Sequence, residues 1–174
     1  MQIKEKTIQM IREHLPAPGT ELGCYTFLAP NALWTGTVES QRPFVVVAKD
    51  NYWPGGGGPI IVVMEDGPVH IAWLTSDDVA NPDYRSTLDL EQESLISYCA
   101  ADFPKFMEIM KLYMEAMETI SRPGFASDDD EYEENCAKIE QVLRQQTAKI
   151  DPTAIEDTES LWSTSMEELG SGML

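Results

Sequence analysis

"PFVVVAKDNYWPGGGGPIIVVMEDGPVHIAWL", from Pro43 to Leu74, contains three β-branched segments, each opened by a proline: Pro43 to Lys49, Pro59 to Glu65 and Pro68 to Leu74. The first position of a strand tolerates proline because a missing N–H costs least there. Asp66 and Gly67, between the last two segments, predict a tight hairpin turn of type I′, with positive φ at both central residues. Three adjoining strands joined in this way predict an antiparallel meander.

The four glycines Gly55 to Gly58 connect the first two segments. A phosphate loop needs a lysine and a hydroxyl residue at fixed spacing, and a dinucleotide fingerprint needs a following helix. Here Pro59 and Ile60 follow Gly58 and a strand begins. The glycines therefore read as a flexible connection that lets the sheet turn, and no nucleotide or other cofactor is expected.

Outward from the meander, the rest of the chain reads mostly as helix. Ile3, Ile8, Met10, Ile11 and Leu15 recur at helical spacing, and Pro16 and Pro18 stop that helix. Tyr25 to Val38 suggests one or two short strands. Thr75 to Glu93 reads as a polar, acidic crossing. Beyond it, Phe103, Phe106, Met107, Met110, Tyr113, Met114 and Met117 mark a helix capped by Asp102, with Pro104 harmless in its first turn. A second helix is expected from about Asp128 to Ala148, with Tyr132, Ile139, Val142 and Leu143 on its apolar face. Asp151 and Pro152 predict the start of a third, carrying Ile155, Leu161, Trp162, Met166 and Leu169 and closed by Gly170. The expected class is α+β. Residues 1–174 are expected to form one domain, with the first helix and strands in 1–42, the meander in 43–74 and the helices in 102–170.

Composition narrows the function. A chain of 174 residues with 43% hydrophobic content can bury a sizeable core. Its net charge of −18 argues against nucleic acid and anionic membranes as partners and favours basic ones. Cys24, Cys99 and Cys136 are odd in number and widely spaced, which argues for a reducing compartment and against thiolate metal sites. No apolar run approaches the roughly 20 residues that span a bilayer, and the first residues lack a signal-peptide core, so a cytoplasmic location is expected.

No catalytic motif stands out. His14 and His70 lack a partner histidine at metal-ligand spacing, and no G-x-S-x-G elbow is present. Asp77-Asp78 and Glu167-Glu168 are pairs that thirty acidic residues produce by chance. "DDDEYEEN" lacks the glycine of a calcium loop. The Met107, Met110, Met114 and Met117 stripe reads as core, as do Trp34, Trp73 and Trp162, whereas Trp53 beside the glycines is the tryptophan expected to be exposed. Loops on a rigid scaffold tend to carry recognition residues. The candidate partner-binding residues are therefore Asp77, Asp78, Asp83, Asp89, Glu91 and Glu93, set against the single Arg85, together with Trp53.

Three stretches resemble the SUKH superfamily of bacterial immunity proteins. They are "FVVVAKDNYWPGGGGPIIVVMEDGPV", the acidic crossing into "ISYCAADFPKFMEIMKLY", and "DPTAIEDTESLWSTSMEELGSGM" with its Trp162. Together they cover about residues 43–120 and 151–173. The resemblance implies a cytoplasmic antitoxin without catalysis or cofactor, binding the toxic domain of a polymorphic toxin used in contact-dependent competition. It also implies a nuclease or nucleic-acid deaminase as that partner, whose basic phosphate-binding surface an acidic inhibitor would suit. Such a protein would act as a monomer or weak dimer. Two other readings compete with it. An acidic chaperone for a secreted effector would dimerise through an exposed apolar helix. A small acid–base hydrolase would need a cleft that gathers carboxylates.

Overall fold

The computed structural model describes residues 3–50 and 57–173. The chain is α+β, with an N-terminal helix, a curled and mainly antiparallel sheet, and C-terminal helices. It packs as two compact units, Met1–Tyr98 and Cys99–Leu174.

Helix α1 (Glu5–His14) opens the first unit and buries Thr7 and Ile11. The strands that follow are β1 (Glu21–Leu22), β2 (Tyr25–Phe27), β3 (Trp34–Val38), β4 (Arg42–Asp50), β5 (Gly58–Met64) and β6 (Val69–Leu74). Two short helices, α2 (Ser76–Ala80) and α3 (Tyr84–Thr87), lead into β7 (Leu88–Leu90) and, after a 3₁₀ turn, β8 (Leu95–Ala100). The main path through the sheet is β1-β2-β4-β5-β6-β8. One edge of the long β4 is shared in series: β3 pairs with its first half, Val38 opposite Arg42, and β2 with its second, Phe27 opposite Ala48.

The expected meander is β4-β5-β6, antiparallel throughout, with Val63 opposite Val69 and Pro59 opposite Trp73. β4 and β5 are buried on both faces, which is why they read as near-continuous β-branched runs rather than as alternating ones. The cluster around Trp34, Phe44, Val62, Met64, Leu74 and Leu88 takes side chains from five strands of the first unit.

Local details differ from the sequence reading, each for a physical reason. Pro43 and Pro59 sit one residue inside their strands, and Pro68 lies just before β6. The Asp66-Gly67 turn is not type I′, because only Gly67 has positive φ, +124°. Glu65 and Asp66 form a turn closed by the Gly67 N–H donating to the Met64 carbonyl, and Gly67 absorbs the extra bend before Pro68. Instead, the turn with two positive φ angles joins β3 to β4 at Glu39 and Ser40, φ +51° and +56°.

Of the glycine run, Gly57 and Gly58 are described and Gly55 and Gly56 lie outside the described residues. Gly58 has φ +122° and starts β5. A Cβ on Gly57 would meet the Leu74 carbonyl oxygen at 2.7 Å, so that position needs glycine to let the chain pass the end of β6.

The second unit contains α4 (Phe103–Ile120), α5 (Asp129–Ile150), a 3₁₀ turn and α6 (Leu161–Gly170). Asp102 caps α4 by accepting from the Lys105 N–H at 2.8 Å, and Asp128 caps α5 through Glu131. Trp162 is fully buried beside Phe106 and Tyr113, and its indole N–H donates to the Cys99 carbonyl at 2.9 Å. The expected third helix is split. Pro152–Ile155 is a 3₁₀ turn, Asp157 turns the chain by accepting from the Glu159 N–H, and Ser160 caps α6. Asp151 does not cap; its carboxylate accepts from the Ala101 N–H at 2.6 Å. On α5 the buried stripe is Cys136, Leu143 and Thr147, while Val142, expected inside, is 52% exposed. Of the methionine stripe, Met110 is buried, Met107 and Met117 are half-buried and Met114 is exposed.

Candidate partner-binding face

The acidic crossing is not a structureless loop. Thr75 and Asp78 form a capping box: the Asp78 N–H donates to the Thr75 hydroxyl at 3.2 Å, and the Thr75 N–H donates to the Asp78 carboxylate at 2.7 Å. That box starts α2, and the T-x-x-D spacing that signals it is present in the sequence. Asn81 then makes a local turn by accepting from the Asp83 N–H at 2.9 Å. The Asp83 carbonyl accepts from the Ser86 and Thr87 hydroxyls, holding the single turn of α3. The chain next enters β7, which runs parallel to β3 with Gly36 opposite Leu88 and Thr37 opposite Asp89. Leu88 and Leu90 point into the core cluster and anchor the stretch.

This arrangement sorts the candidate carboxylates into two kinds. Asp78 and Asp89 belong to the framework. The Asp89 carboxylate accepts from the Ser40 N–H at 2.7 Å, from the Ser40 hydroxyl at 2.5 Å and from the Thr37 hydroxyl at 2.8 Å. The Ser40 bonds, with help from Thr37, hold its carboxyl below the usual carboxylate pKa. Together they pin the Glu39-Ser40 turn, which lacks the glycine that its positive φ favours. Asp78 and Asp89 thus hold structural bonds in addition to lying on the candidate face. Asp77, Asp83, Glu91 and Glu93 are exposed, and none joins an ion pair among the described residues. Trp53 lies outside the described residues.

Arg85, the one cation in the stretch, lies over aromatic rings. Its guanidinium is 5.3 Å from the centroid of Trp34 and 5.6 Å from that of Tyr84. Trp34 and Tyr84 meet edge to face at 5.3 Å. These ring contacts tie α3 to the core, and Arg85 joins no ion pair among the described residues.

The acidic start of α5 shows the same division. Asp128 caps the helix, and Glu131 accepts from the Ser127 N–H and hydroxyl, which lowers its pKa. Asp129 and Asp130 remain exposed. The carboxylates whose pKa clearly departs from the ordinary value, Asp89 and Glu131, thus both move down through hydrogen bonding. Burial lowers the pKa of His70, whose ring stands edge-on to Tyr98 at 5.7 Å, and His14 bonds the Met10 carbonyl. Among the described residues no group of three or more His, Cys, Asp or Glu could hold a metal ion, and no helix is long and apolar enough to cross a membrane.

No family model, characterised protein or solved structure matches the chain.

Proposed function

We propose that this chain is a non-catalytic immunity protein that binds and neutralises a basic toxin domain, a nuclease or nucleic-acid deaminase. The observation that carries this reading is the division of carboxylates between Leu74 and Leu95. Asp78 and Asp89 hold a rigid edge in place, while Asp77, Asp83, Glu91 and Glu93 stand on it exposed and outside any ion pair among the described residues. On a chain of net charge −18, such an edge draws in a basic surface and repels nucleic acid. The resemblance to the SUKH superfamily points the same way, and the nuclease or deaminase class rests on that resemblance alone.

The chaperone reading calls for a broad apolar helix face. On α4 and α5 the exposed large apolar residues among those described are Met114 and Val142, at 40% and 52%. Val142 borders an apolar groove with Leu112, Ala116 and Ile139, so the face a chaperone would use is small.

Pull-down with the neighbouring gene's product, followed by an assay of that product's toxic domain, tests the proposal. Stable binding with loss of toxin activity is expected. Binding that leaves the toxin fully active would favour the chaperone, and no binding would overturn the reading.

A further inference from the structure

The first unit contains a cleft of about 590 Å³ lined from three directions, with Glu5 and Ile8 on α1, Thr35 and Thr37 on β3, and Ser86 and Thr87 at the end of α3. Its size is that of a ligand pocket. What it presents to a ligand follows from where its hydroxyl protons already go. Thr37 donates to Asp89, while Ser86 and Thr87 both donate to the Asp83 carbonyl at 3.1 and 3.0 Å. A hydroxyl carries one proton and two lone pairs, so these three side chains face the cleft as acceptors. Thr87 also accepts from the Asn81 amide, which leaves it one lone pair. Glu5 adds a carboxylate that is 81% exposed and 3.7 Å from Arg12, a surface pair of little strength. Among the described lining residues there is no lysine or arginine.

A cleft in which Thr37, Ser86 and Thr87 present acceptors, and whose one carboxylate lies 3.7 Å from Arg12, suits a ligand made of donors that can displace that arginine. We infer that it receives the guanidinium of an arginine side chain from the protein partner. A guanidinium carries five N–H donors in a planar fork and no acceptor, and Ile8 offers an apolar wall for its methylene stem. The choice of a protein-borne arginine rests on the immunity-protein reading. The acceptor chemistry of the cleft does not.

An amide NMR titration of the full chain with N-acetyl-arginine methylamide, in about 150 mM NaCl to screen diffuse attraction, tests the inference without any toxin. Saturable shifts are expected at Gly36, Thr37 and Thr87, with affinity at least about tenfold weaker in the Glu5→Gln, Thr35→Val double variant, as fits the loss of a charge-assisted acceptor. Neither substitution removes a hydrogen bond described above, and the rest of the spectrum reports that the variant is folded. Absence of saturable shifts in the cleft would overturn the inference. So would shifts spread equally over Asp128 to Glu131, or an affinity unchanged in the double variant. Tighter binding of agmatine than of the blocked amino acid would overturn the side-chain source in favour of a free metabolite. Because no toxin is present, failure here leaves the pull-down result standing, and the reverse holds.

Discussion

The β4-β5-β6 meander and the crossing from Thr75 to Ser94 are neighbours in the chain but are held by different forces. The meander buries Val45, Val46, Ile61, Val62 and Val63 completely, so its stability comes from apolar area removed from water. The crossing buries only Leu88 and Leu90, and it keeps its shape through short-range polar bonds: the Thr75-Asp78 box, the Asn81 turn and the Asp83 carbonyl. The contrast shows how this molecule can expose a dense set of like charges. A rigid apolar sheet carries the fold, and a few carboxylates bound to backbone and hydroxyl groups hold the edge on which the others stand.

Phe44 is fully buried beneath Gly36, whose Cβ, if added, would lie 2.5 Å from the Phe44 ring. Phe44→Ala is expected to lower stability by about 3–5 kcal/mol, measured by urea unfolding. A loss below about 1 kcal/mol would mean that the sheet is not the source of stability.

On the polar side, Asp89→Ala removes the acceptor of three bonds to Ser40 and Thr37. Discounted for solvent exposure, the loss is expected to be about 1 kcal/mol, against less than about 0.5 kcal/mol for Asp77→Ala. The folded state holds the Asp89 carboxyl below its unfolded pKa of 3.8, so its contribution is present above that value and disappears as pH falls through the lower folded one. The gap between the wild type and Asp89→Ala is therefore expected to be constant at neutral pH and to close below 3.8. Equal losses for Asp89→Ala and Asp77→Ala would erase the division between framework and exposed carboxylates.

A smaller effect of opposite sign tests what Asp89 holds down. Glu39 sits at φ +51°. Glu39→Gly is expected to raise stability by about 0.5–1 kcal/mol, because glycine adopts that conformation without steric cost. A loss of stability would show that the turn is not strained.

The same contrast explains what could be read from the chain. The meander was legible because strands buried on both faces are written as contiguous β-branched residues, and α4 because Asp102, Pro104 and the Phe103-Phe106-Met110-Tyr113 series agree. The crossing was not legible as structure, since helices of four or five residues have no periodicity to detect. Its one local sign was T-x-x-D at Thr75. The role of Asp89 was beyond any local pattern, because its partners Thr37 and Ser40 lie 52 and 49 residues away in the chain. Val142, expected inside, is exposed, and Thr147 takes an inward position on α5 despite its hydroxyl, which no apolar periodicity could have marked.

We propose that the exposed carboxylates of the crossing steer a basic partner. Asp78→Lys would also destroy the capping box, so the informative substitutions are Asp77→Lys and Asp83→Lys together, in a protein whose unfolding midpoint is unchanged. Stopped-flow association with the cognate toxin domain is the most direct measurement. Association is expected to slow by about tenfold at about 20 mM salt, with the difference largely gone at about 300 mM, since rim charges act on encounter and are screened. An unchanged association rate at low salt for the folded double variant would contradict it and move the partner face away from this edge.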